Sequence, residues 1–338
     1  MLESFTTSAR ARLGWALDPT PHEDARAQPI AFAVMRILLG LMWLYNVSWK
    51  RAPDFGQDAG NGLYKFTSYA VDYPVLPPYA WLTDHLILPV FPVFGWVVLI
   101  AETALAVMLL TGTRVRLAAL IGLAQSLAIG LSVAYAPHEW PWSYFLMIGA
   151  HLVLVFAAAG RVLGTDGVRA GSTSARTLGQ VWAGVALLAG VVSLVRSFSD
   201  PLAARGATLG SSDPSVSLGS YNLVGSLVLV VLGVLMLVGV RSATPRALQA
   251  AAALGVLAAL SLHAQLGFTD PILGGNPTSA AVFISLALVA FHVGRAPSRA
   301  AGTGTADPTA DPTAAPTAAP TAAPTADPTA APTESNSP

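Results

Sequence analysis

The chain has 338 residues, of which 54% are hydrophobic and 11% charged, with 18 basic and 18 acidic side chains and no cysteine. A soluble domain carries roughly a quarter charged residues, so this chain lacks the charge to cover a water-facing surface. Zero net charge argues against nucleic acid as a partner. The missing thiols exclude disulfides, thiolate metal sites and cysteine nucleophiles. The reading is an all-α integral membrane protein whose partner is the lipid bilayer.

A helix that crosses ~30 Å of hydrocarbon needs about 20 mostly apolar residues. About eight stretches fit, at 30–49, 87–111, 117–135, 143–160, 179–195, 221–240, 247–266 and 278–294. The fifth and last are the shortest. The seventh and eighth are rich in alanine, which leaves seven spans as the alternative count. The polar residues 1–29 hold no cleavable signal, so the first span is expected to act as an uncleaved anchor.

Twelve arginines fall in the N-terminal segment, the loops and the tail assigned to one side, against Lys50, Arg51, Lys65, Arg196 and Arg205 on the other. The positive-inside rule then predicts a multi-pass cell-membrane protein with both termini cytoplasmic. Two lysines against sixteen arginines, with abundant alanine, point to a GC-rich bacterial genome. Residues 306–333 form seven Ala-Asp/Ala-Pro-Thr units. Proline at every fourth position and the lack of side chains that could form a core predict a disordered tail over 296–338.

Loop lengths run long, short, short across spans 1–4 and again across spans 5–8. Duplication and chance both account for this. The organisation read from it is a polar N-terminus (1–29), a four-helix module (30–166), a second four-helix region (167–295) and the tail.

Only Arg36 and Glu102 carry a formal charge inside the predicted spans. Each costs about 2.5–3.5 kcal/mol at a helix centre, so neither should face lipid and a mutual ion pair is the expected arrangement. At 1.5 Å per residue, Gln125 and His151 fall near the same depth. Arg36, Glu102, Gln125 and His151 are thus expected to form one polar layer, reached by a stripe of Tyr144, Met147 and His151 on the fourth span. Arg36, Glu102 and His151 are the candidate catalytic residues. Gln125, Tyr144 and Met147 are candidates for binding substrate. A carboxylate that loses its cationic partner in low dielectric takes a proton, and a histidine can relay protons or hydrogen-bond a quinone carbonyl. The structural alternative is that the pair and its neighbours only fasten helices.

The 50–86 loop, with Phe55, Tyr64, Tyr69, Tyr73, Tyr79 and Trp81, suits the membrane–water interface. His138 and Glu139 could meet Asp84 and His85 there, but the spacing matches no metal motif, so no metal site is assigned. His263, Gln265 and His292 read as helix-end residues. No phosphate loop, dinucleotide fingerprint or nucleophile elbow is present.

Five features stand in order: Arg36-Ile-Leu-Leu-Gly40 followed by Lys50, then Glu102, then Leu109-Leu-Thr-Gly112-Thr-Arg114, then Glu139-Trp-Pro-Trp-Ser-Tyr144, and finally Gly160-Arg-Val-Leu-Gly-Thr-Asp166. In these the stretch 36–166 resembles the DoxX/DoxD family of four-helix membrane proteins. The resemblance implies a DoxX-like bundle acting in a quinone-linked redox system, with thiosulfate:quinone oxidoreduction as the activity, quinone as acceptor and a soluble or membrane redox partner. The four extra spans and the repeat tail depart from that pattern. The alternatives are a proton-coupled transporter and a non-enzymatic membrane scaffold.

Overall fold

The computed structural model describes residues 27–212, 215–265 and 272–296. Most of the polar N-terminal segment and the repeat tail lie outside the described residues. Helix α1 (Ala27–Ser48) leads to two short helices, α2 (Gly62–Asp72) and α3 (Pro77–Leu82), and then to α4 (Phe91–Thr111). After these come α5 (Val115–Val133), α6 (Pro141–Phe156), the single turn α7 (Thr165–Arg169) and α8 (Ala175–Arg196). Strands β1 (Ala207–Ser211) and β2 (Val216–Tyr221) precede α9 (Leu223–Arg241), α10 (Pro245–Ala264) and α11 (Pro277–Arg295).

Proline sets many of the starts. Helices α3, α4, α6, α10 and α11 all carry one in their first turn, where the missing amide has no partner to lose. Among the described residues, seven helical stretches are long and apolar enough to cross a membrane. Their outer faces expose large apolar side chains, Ile100 at 62% and Leu188 at 68% among them. Such faces are stable in lipid and not in water, so this is a multi-pass helical membrane protein.

The fourth predicted span, the one outside these seven, is also helical but shorter. Helix α6 has 16 residues and leaves helical geometry at Ala157, so the chain from Ala157 to Gly164 turns beneath the bundle instead of extending the span to residue 160. The fifth and last spans, expected to be short, run to 22 and 19 residues.

Two features add to the sequence reading. The 50–86 loop is largely helical, and from Pro77 to Thr111 the path is one helical run of 35 residues. Within it Thr83–Ile87 widens to a π-turn and Leu88–Val90 tightens to a 3-10 turn. Pro89 and Pro92 cannot donate to a regular ladder, which accounts for the interruption. The chain is also not purely helical, since β1 and β2 pair antiparallel. The hairpin gives backbone groups partners where no helix can form around Gly206, Gly210 and Gly219.

Helix α1 packs on α4, α4 on α5, α5 on α6, and α6 returns to α1; α8, α9, α10 and α11 close a ring in the same order. Helix α11 joins the two, touching α1, α4, α7 and β2 as well as its own ring. Its alanines explain this position. Ala280, Ala281 and Ala290 are fully buried, and small side chains let neighbouring helices approach closely in a membrane. The alanine content that left this span open in the sequence belongs here to the most buried of the candidate spans.

Candidate functional site

Glu102 does not pair with Arg36. Its carboxylate meets Lys50 Nζ at 2.5 Å, with both side chains almost fully buried. Lys50 follows the end of α1, and its four-carbon stem runs back along the helix so that Nζ also donates to Asn46 O at 3.0 Å. The ammonium lies 3.9 Å from the centre of the Trp49 ring. A lysine counted among the loop charges thus supplies the partner for a carboxylate in the middle of α4. The signal was available: a lysine one turn past a helix end can snorkel in either direction.

Arg36 reaches the opposite end of the bundle. Its Nη2 donates to the carbonyls of Leu163 at 3.1 Å and Val162 at 3.4 Å. Nη1 lies against Gly112 and Gly164, and Nε and Nη1 are buried without a hydrogen-bond partner among the described residues. Around the guanidinium the chain interlocks. Thr113 and Thr165 hydroxyls meet at 2.6 Å. The Asp166 carboxylate accepts from the amides of Arg114 and Val115, each at 3.0 Å, and so caps α5 from a distant segment. Arg36 therefore fastens the turn after α4 to the segment after α6.

His151 occupies a third place. Trp43 Nε1 donates to its Nε2 at 2.9 Å, and its Nδ1 lies 2.7 Å from Met147 O. An indole N–H only donates and a carbonyl only accepts, so the ring is held as the uncharged Nδ1–H tautomer. Ser126 Oγ is 3.3 Å from the same Nδ1. Gly122 leaves room for the ring, since a Cβ there would lie 2.3 Å from Nε2. Gln125 is half-buried and makes no contact with His151; its neighbour Ser126 does so instead. Met147 contributes only its carbonyl. Tyr144 donates to Glu139 and takes no part in the layer.

The expected single layer is therefore three separate arrangements. His151→Phe leaves the buried Trp43 indole without its acceptor and is expected to destabilise the protein by about 1–3 kcal/mol. Chemical or SDS-induced unfolding of the purified protein measures this, and His151→Asn tests whether an amide oxygen restores the acceptor. Asp84, His85, His138 and Glu139 do not gather into one group. Glu139 is taken by Tyr144, His85 stacks on Trp81, and no group of three or more ligating side chains gathers among the described residues.

The Lys50 end of the bundle holds a cavity of about 370 Å³ bounded by the end of α1, the hairpin, the end of α10 and the start of α11. Lys50, Arg51 and Arg205 line it together with Thr208, Ser217 and Asn276, and no aspartate or glutamate does so among the described residues. Asn276 and Ser279 cap α11 with a reciprocal capping box. Ser279 Oγ also accepts from Ser220 N at 3.0 Å and donates to Ser220 O at 2.8 Å, fixing the hairpin over the cavity. Gln265 is a helix-end residue as expected, the C-cap of α10, and also part of the wall.

This cavity has the chemistry of a small-anion site. Lys50, Arg51 and Arg205 line it beside hydroxyl and amide side chains, and Lys50 also belongs to the buried ion pair. It could not be read from the sequence because its walls come from positions 45–52, 205–220, 262–265 and 275–277, which no motif spacing links. No family model, no curated protein and no solved structure matches the chain.

Proposed function

We propose that the chain is a membrane subunit of a quinone-linked redox system that accepts a small oxyanion donor, of the thiosulfate type, at the Lys50–Arg51–Arg205 cavity. The observation that carries this reading is the sharing of Lys50 between Glu102 and the cavity wall. In this reading the cavity end faces outward and both termini face the cytoplasm of a bacterial cell, as the loop charges ask. The DoxX/DoxD resemblance supplies quinone as the electron acceptor.

The Lys50 ammonium has two competing partners. With the cavity empty it neutralises Glu102. An oxyanion in the cavity draws it outward, and a buried carboxylate left without its cation is neutralised by a proton. Anion binding and proton uptake are thereby linked at one side chain, as quinone reduction requires protons alongside electrons. Arg205, whose charge has no ion-pair partner among the described residues, adds attraction at the mouth.

The test is reduction of a quinone analogue by the purified protein in nanodiscs with thiosulfate as donor. Wild type is expected to turn over and Glu102→Gln to lose most of the rate. Arg205→Gln should raise KM by roughly tenfold with little change in kcat, as for loss of one charge-assisted contact. Equal rates in wild type and Glu102→Gln refute the role of Glu102. No reduction by folded wild-type protein refutes autonomous oxidoreduction. The shared lysine also favours a second reading, an anion–proton carrier, which predicts thiosulfate entry into sealed vesicles with a matching pH change.

A further inference from the structure

The opposite end of the first helix ring carries a second concentration of arginine. A groove of about 560 Å³ runs between the start of α5 and the segment that follows α6, lined by Arg114, Arg116, Arg161 and Arg169 with Leu117 and Ala157. Its one acid is Asp166, already committed to the amides of Arg114 and Val115 and to the side chain of Arg169. Arg114, Arg116 and Arg161 are exposed and have no ion-pair partner among the described residues. Among the described residues, three guanidinium groups therefore line one shallow groove without an ion-pair partner.

We propose that this groove binds the phosphodiester headgroup of an anionic membrane phospholipid. Guanidinium forks match phosphate oxygens two at a time, and basic pockets between the ends of transmembrane helices are recurrent headgroup sites. The walls select a lipid over a free ion. The groove opens onto apolar helix faces where Leu117 is 47%, Leu120 52% and Phe156 77% exposed. A headgroup held by the arginines would lay its acyl chains along those faces, covering surface that inorganic phosphate leaves bare. The early end of α6, at Phe156, leaves the space that the headgroup fills. The helix end itself is not the binding element, since Asp166 already occupies the first amides of α5. This inference is independent of the redox reading.

The experiment is native mass spectrometry of the full-length protein in a neutral detergent, supplied with either phosphatidylglycerol or phosphatidylcholine. Wild type is expected to retain phosphatidylglycerol and release phosphatidylcholine. Arg114→Gln/Arg116→Gln/Arg161→Gln should weaken retention by roughly tenfold or more, and Arg116→Gln alone by about fivefold, from the contribution of one arginine near a lipid surface. The matching triple lysine variant should keep most of the binding. Arg241→Gln/Arg246→Gln, at the end of α9 and the start of α10, should leave it unchanged. Equal retention of both lipids, undiminished retention by the Gln variants, or complete displacement of phosphatidylglycerol by millimolar inorganic phosphate each overturns the proposal.

Discussion

Replacing Lys50 with methionine while leaving Glu102 in place is expected to destabilise the protein by about 3–5 kcal/mol, because a buried carboxylate loses its paired cation. Burying two charges is costly, and their attraction offsets that cost only in good geometry; removing one leaves the penalty without the compensation. Lys50→Met/Glu102→Leu removes both, and its stability should return to within about 1 kcal/mol of wild type. SDS-induced unfolding of the single and double variants gives both numbers. The contact at 2.5 Å and the near-complete burial of both side chains place this pair among those where the asymmetry is largest.

The same double variant separates structure from function. If the pair only ties α4 to the end of α1, a well-packed apolar replacement should preserve whatever the protein does. If Lys50 links the cavity to Glu102, the folded double variant should lose donor-dependent quinone reduction and its affinity for the anion. A stable, fully active double variant would sink the proposed function while leaving the fold intact. A stable but inactive one would assign the pair a role that stability alone cannot explain.

The spans were legible because lipid imposes a length and a composition on each helix, and α6 fell furthest short of its predicted end. What composition could not give was partnership. Arg36 and Glu102 lie within reach by depth, yet a depth argument ranks levels and says nothing of which helix face each residue occupies. Lys50 won because its stem can run back along α1, while Arg36 is held at the other end by two backbone carbonyls. Backbone acceptors have no sequence signature. His151 was legible as a buried polar residue, but its partner Trp43 reads in the sequence as one more apolar residue of α1. The strand pair was hidden by its glycines, which scan as loop. The cavity was hidden because its walls are brought together only by the packing of α1, α10 and α11 around the hairpin.

The largest single-residue loss outside the ion pair is expected at Gly112. This residue ends α4 with φ +66°, a conformation that costs an L-residue roughly 1 kcal/mol. A Cβ there would also lie 1.7 Å from Arg36 Nη1 and 2.6 Å from the Cα of Gly164. The Gly164 backbone cannot move freely, because Leu163 and Val162 hold Arg36 and Asp166 N donates to Gly112 O at 3.0 Å. Gly112→Ala must therefore expel the guanidinium or part the two segments, and a loss of about 3–5 kcal/mol is expected from the strain and the broken charge-assisted bonds together. Arg36→Met keeps an apolar stem and removes both the donors and the two buried nitrogens that lack partners, so it should cost less, about 1–3 kcal/mol. The two changes act on the same contact. The double variant Gly112→Ala/Arg36→Met should thus fall short of additivity by about 1–2 kcal/mol, measured as a double-mutant cycle by SDS-induced unfolding. Strict additivity would mean that Arg36 and Gly112 stabilise the bundle separately, and that the close approach between them is not what joins the turn after α4 to the segment after α6.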